Sequence, residues 1–272
     1  MLRKLLKYEY RASIWLMPFL YLAAAILYGA GWAARAIGIT QLVGTFCVGL
    51  VLAGMAGLVV SFVMVITRYY KGMFGAEGYL SQTLPVSKGL LLASRMIVAL
   101  TMVVCGLVLM FACVLGLLHL VGATDDLAML FRQFRGFAAP ILWGAAVMFL
   151  VQLVLFVVEV YFAVTLANTR SFLSNNLLFS VLFYFAVNMA VSVLELIGLL
   201  VLPLGVRIGE DGVSFVAQGM LPTLLDLGMG QHGVDELFGA TIGLGSVLVD
   251  LAALAALLLL TRWLLNRKTS VK

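Results

Sequence analysis

The sequence predicts an all-α integral membrane protein with six transmembrane helices, and three observations predict it. Of 272 residues, 64% are hydrophobic and only 11% are charged, against about 45–50% and 25% in soluble domains. The mean hydropathy of +1.16 reflects more apolar surface than a soluble core can hide, so lipid must be the solvent. The apolar residues also fall into runs long enough to cross a hydrocarbon core of about 30 Å at roughly 1.5 Å per helical residue.

Taken in order, residues 1–12 place Leu2, Leu5 and Leu6 on one side and Arg3, Lys4 and Lys7 on the other. That pattern predicts an interfacial amphipathic helix on the inner membrane surface. The first span is expected at 14–36, with Pro18 in its first turns as a candidate kink. A signal peptide is the competing reading of this end, with Ala23-Ala24-Ala25 as its cleavage site. The apolar run continues to Ala34, beyond a signal core of about 7–15 residues. The second span is expected at 41–67, where Gly49, Ala53 and Gly57 form a small-residue stripe that admits a neighbouring helix. The third is expected at 90–121, and the fourth at 140–166, opened by Pro140 at a position that favours proline. The fifth is expected at 177–201 and the sixth at 240–265. Between them lies the glycine-rich, semi-apolar segment 204–238. Its apolar stretch is too short to cross the membrane, which leaves a re-entrant helical hairpin or an ordinary surface loop.

Charge orients the chain. With six spans, thirteen of the 17 Lys and Arg residues fall on the side of the two termini, and Arg35, Arg132, Arg135 and Arg207 fall on the other. Both termini are therefore expected in the cytoplasm. The net charge of +5 is no nucleic-acid signal, because the basic residues cluster at span ends, where lipid headgroups are the expected partners. Cys47, Cys105 and Cys113 lie in apolar runs and read as small core residues, without disulfide or metal spacing. His119 and His232 are the only histidines, and no metal-ligand spacing surrounds them.

The longest polar interruption of the first half runs from Arg68 to Arg95. It carries turn glycines, interface aromatics and a Leu84-Pro85 pair that forces extended backbone, with Ser87 placed to cap the next helix. Its charge predicts a cytoplasmic loop. The run Phe74, Glu77-Gly78-Tyr79-Leu80, Thr83-Leu84-Pro85-Val86-Ser87 and Ser94-Arg95 resembles the loop between the second and third spans of bacterial ABC-transporter permease subunits of the type-two exporter class. Arg95 stands where lysine is usual in that family, and Ala76 where an acid often sits. The likeness covers about a tenth of the chain, and the six-span layout extends it.

The resemblance implies a permease subunit that exports amphiphilic or peptide-like molecules across the bacterial cell membrane. It implies a separate ABC ATPase subunit that holds the ATP, and a second permease chain, like or unlike. Phe74, Glu77, Gly78, Tyr79, Leu80, Leu84 and Pro85 would form the coupling loop that meets the ATPase. The sequence lacks GxxxxGK[ST], since the one Lys followed by Ser or Thr, Lys268, has no such glycines before it. This chain is therefore expected to hold no nucleotide and no other cofactor, and to catalyse no reaction itself.

Glu159, Glu195 and Asp250 fall within spans. A charge at mid-membrane costs at least about 2.5–3.5 kcal/mol. Asp250, read as nearest the centre of its span, therefore either lines a translocation path or hydrogen-bonds a neighbouring helix, while Glu159 and Glu195, nearer span ends, do either or reach headgroups. Gln152 and Asn188 read as interhelical hydrogen-bonding partners. The competing function is a secondary carrier not linked to ATP, or a membrane scaffold. A carrier is expected to show inverted repeats and broken helices, and neither is clear in the sequence.

Overall fold

Backbone in lipid must satisfy its own N–H and C=O groups, so apolar sequence of this length becomes helix. The structure, a computed structural model, describes residues 2–75, 87–124, 129, 132, 135–169, 176–209, 212–216, 221 and 241–267. Its helices are α1 (Leu2–Ser13), α2 (Met17–Ile37), α3 (Thr40–Met73), α4 (Lys88–Val121), α5 (Arg135–Ala167), α6 (Asn176–Val201) and α7 (Gly245–Arg267). A 3₁₀ turn, Ile14–Leu16, joins α1 to α2. Three short strands follow α6: β1 (Gly205–Gly209), β2 (Gly212–Val216) and β3 (Thr241–Gly243). Six helical stretches are long and apolar enough to cross a membrane, the architecture of a multi-pass membrane protein.

The described chain falls into two compact units, within residues 1–134 and within 135–269. In the first, α3 and α4 form the main pair, and α2 packs on both. Ala24, Leu50, Leu109, Cys113 and Leu120 make a core bordered by Leu20, Tyr21, Leu27 and Tyr28. The three cysteines are free. Pro18 comes just after the Ile14–Leu16 3₁₀ turn. It stands in the first two positions of α2, where a missing N–H loses no helical hydrogen bond. The close-approach face of α3 also differs from the expected stripe. Gly57 meets α4, where a Cβ would stand 2.5 Å from Leu109, whereas Gly49 turns towards Leu27 of α2. Residues spaced by four drift about 40° per step around a helix, so the stripe divides between two neighbours. Gly54, Gly57 and Ser61 face α4, with Gly106 opposite Ser61.

Helices α3 and α4 each have 34 residues and are about 51 Å long, well beyond the hydrocarbon core. The polar interruption is correspondingly shorter than the sequence suggests. Residues 68–73 complete α3, and α4 begins at Lys88 with Ser87 as N-cap, its side chain accepting from the Leu90 amide. At their other ends α2 and α4 stop at Gly38 and Gly122, both at positive φ.

In the second unit α5 packs against both α6 and α7, which also pack on each other. Helix α5 begins at Arg135, so Pro140 lies in its second turn and does not open it. The strands form an antiparallel sheet of order β2-β1-β3, with Gly205 opposite Val216 and Gly243. The start of segment 204–238 is therefore extended, not helical. Alternating Val206, Ile208, Val213 and Phe215 between glycines suits strands. Residues 217–220 and 222–238 of that segment lie outside the described residues. Because β3 takes residues 241–243, the last helix starts at Gly245, later than the expected 240.

Candidate functional site

Two constellations hold the functional residues that the sequence singles out, one in each unit. The first is a polar column inside the 135–269 unit. Gln152 and Glu159 are seven residues apart on α5, and Asn188 and Glu195 are seven apart on α6. Residues at that spacing share a helix face. The antiparallel pair brings Gln152 to Glu195 and Asn188 to Glu159, in two layers about 10 Å apart.

In the first layer the Gln152 side-chain amide nitrogen donates to Glu195 Oε1 at 3.4 Å and to Asp250 Oδ2 at 3.1 Å. One amide group thus serves carboxyls from two helices, which is the full donor capacity of an NH₂. Asp250 is only 4% exposed, and among the described residues its Oδ1 has no hydrogen-bond partner. In the second layer Asn188 Nδ2 donates to Glu159 Oε2 at 3.2 Å. Glu159 is 2% exposed, and Glu195 is half-buried. Each carboxyl thus meets an amide on a neighbouring helix, as polar groups within a membrane must. Asp250 is not central in its helix. With α7 starting at Gly245 it lies in the second turn, about 8 Å from the end.

The second constellation lies at the adjoining ends of α3 and α4. Of the expected coupling-loop residues, Phe74 is described. Glu77, Gly78, Tyr79, Leu80, Leu84 and Pro85 lie outside the described residues. Phe74 is 6% exposed and packs against its neighbours. Its ring stands edge-on to Tyr69 at 6.1 Å and tilted to Tyr70 at 6.5 Å. Tyr69 and Met73 are buried with it. The amides of Phe74 and Gly75 both reach the Tyr70 carbonyl, at 2.9 and 3.1 Å, and close the helix end. This aromatic knot packs the end of α3.

Arg95 completes the site, in a role the sequence did not disclose. Read along the chain, it is one of four basic residues in a polar stretch. In the fold it is 6% exposed. Its Nη2 donates to the Gly72 carbonyl at 2.7 Å, and its Nε lies 3.4 Å from Glu9 Oε1 on α1. The signal available was the isolated Glu9 in an otherwise basic N-terminal segment.

At the far end of the same unit, Arg35 donates to the carbonyls of His119 and Leu120, and Tyr28 pairs with His119 Nδ1 at 3.1 Å. These contacts close the last turn of α4. Among the described residues no group of three or more His, Cys, Asp or Glu converges to hold a metal ion.

Comparisons with family models, with curated proteins and with solved structures find no match to this chain.

Proposed function

We propose that this chain is the transmembrane permease subunit of an ATP-driven ABC exporter in a bacterial cell membrane, working with a separate ATPase subunit and a second permease chain. The observation that carries the proposal is the 74–95 run, with Glu77-Gly78-Tyr79-Leu80 and Thr83-Leu84-Pro85-Val86, set between the second and third of six apolar helices. ATP binding and hydrolysis on the partner would move this cytoplasmic loop, and the loop would shift the helix bundle. The helix ends suit that task. Residues 68–75 are held by buried aromatics and by Arg95, so a push on the loop meets packed protein and not a slack linker. An amphiphilic or peptide-like substrate fits the resemblance. The Gln152–Glu195–Asp250 layer is the candidate polar lining of its path, with Glu159 deeper along α5. In this reading both termini face the cytoplasm, and α1 turns its basic face to headgroups.

Inspection of the adjacent genes for an ABC ATPase, then co-expression of that ATPase with this chain and purification in detergent, tests the proposal. Co-purification of the two chains, with ATP hydrolysis that changes on adding the permease, is expected. An ATPase that neither binds nor responds would remove the exporter reading.

One observation favours a second reading, a secondary carrier. Carboxyls within spans often mark proton or ion pathways, and this chain clusters two of them around Gln152. A carrier would move substrate in ATP-free proteoliposomes under an imposed ion gradient, whereas an exporter would not.

A further inference from the structure

We infer that Arg95 is a positioning residue that couples the N-terminal helix α1 to the end of α3, so that displacement at either is transmitted to the other. The coupling belongs to this chain alone and does not rest on the exporter reading.

Arg95 lies two turns into α4 and reaches in two directions at once. Towards α3 it donates to the Gly72 carbonyl at 2.7 Å. That carbonyl is one of the last four of α3 and sits near the negative end of the helix dipole. Towards α1 it lies 3.4 Å from the Glu9 carboxylate, which is 24% exposed while Arg95 is 6% exposed. A guanidinium presents its donors in one rigid plane, so it can serve two partners with a single rotamer. An ammonium on a flexible stem cannot bridge them in the same way.

Gly72 shows how closely the parts are fitted. A Cβ built there would stand 2.6–2.7 Å from Nη1, Cζ and Nη2 of Arg95. The guanidinium therefore lies against bare backbone, and a side chain at position 72 would have to displace it. A second tie runs alongside, since the hydroxyls of Tyr10 on α1 and Thr101 on α4 lie 2.5 Å apart. Because α1 passes directly into α2 through the Ile14–Leu16 turn, a shift at Gly72 has a continuous packed route to the first span. The guanidinium is rigid, so a shift that moves it relative to one partner also moves it relative to the other. That property makes the link reciprocal.

Hydrogen–deuterium exchange on the full chain tests this, in nanodiscs of phosphatidylethanolamine and phosphatidylglycerol. Glu9→Gln removes the charge on the α1 side, and Gly72→Ala pushes on the Arg95 guanidinium from the α3 side without removing a charge. Each is expected to raise exchange at the opposite element, residues 68–75 for Glu9→Gln and residues 2–13 for Gly72→Ala, by about tenfold or more. Arg95→Gln is expected to loosen both elements, and Arg95→Lys to fall between it and the native chain. Adding Glu9→Gln to Arg95→Gln is expected to change nothing more. If Glu9→Gln acts only on α1 and Gly72→Ala only on α3, Arg95 merely packs locally and the coupling is wrong. The coupling is equally wrong if Arg95→Gln changes neither element. Should Arg95→Gln fail to accumulate, the two flanking variants decide the matter.

Discussion

Gln152 holds two carboxyls with one amide, and that division of labour sets what single substitutions should do. Gln152→Met keeps the side chain's length but leaves Glu195 Oε1 and Asp250 Oδ2 without the donor they share. An unmet buried polar group costs about 1–3 kcal/mol, so the variant should unfold at a lower temperature in detergent. An unchanged melting temperature would show that the layer contributes nothing to folding. Asp250→Asn probes the layer differently, because it keeps the shape and one oxygen. It should insert and assemble normally but lower transport if Asp250 lines a path. Normal transport in that variant would assign Asp250 to interhelical bonding alone, as Asn188 serves Glu159.

At the scale of elements, the α3–α4 pair depends on missing side chains. A Cβ at Gly106 would collide with the Ser61 hydroxyl and stand 3.3 Å from the Gly57 carbonyl. Gly106→Leu should therefore separate the helices or strain them, at about 1–3 kcal/mol. Gly29→Ala on α2 is the control, since nothing lies within 4 Å of a Cβ there. It should be neutral or stabilise by up to about 1 kcal/mol. Thermal melts of both variants in one detergent would test the contrast, and equal losses would contradict it.

The coupling segment makes its own prediction at this scale. Glu77 is the one acid among the four basic residues of the 68–95 stretch, and surface pairing contributes only about 0–1 kcal/mol. A contact with a cationic groove on the ATPase explains it better, where facing like charges cost several kcal/mol. Glu77→Arg should weaken ATPase pull-down and transport while leaving insertion intact. Full retention of both would show that the segment only joins two helices.

For the whole molecule, orientation is the open quantity, and the thirteen-to-four charge split determines the expectation. In a cysteine-free background, a membrane-impermeant thiol reagent applied outside intact cells should label Gly212→Cys on β2 and miss Gly75→Cys at the end of α3. Labelling at position 75 from outside would invert the topology and place the coupling segment where no cytoplasmic ATPase could reach it.

Hydropathy alone located all six spans, and four of their starts and five of their ends lie within about three residues of the helices found. This succeeded because length and apolarity are local properties, and lipid leaves an apolar backbone no alternative to helix. The Ser87 cap was legible for the same reason, being a contact three residues long. Tertiary structure decided what depends on partners remote in sequence. Which glycines face which helix turned on the 3.6-residue period accumulating along α3, and no local pattern reveals which neighbour sits at each angle. The strands at 205–216 and 241–243 needed each other's backbone groups, across the 24 residues between β2 and β3. Gln152, Glu195 and Asp250 were each conspicuous as polar residues in apolar runs, but only three packed helices could make them one layer. Arg95 and Glu9, 86 residues apart, were ordinary surface charges until folding removed water from between them.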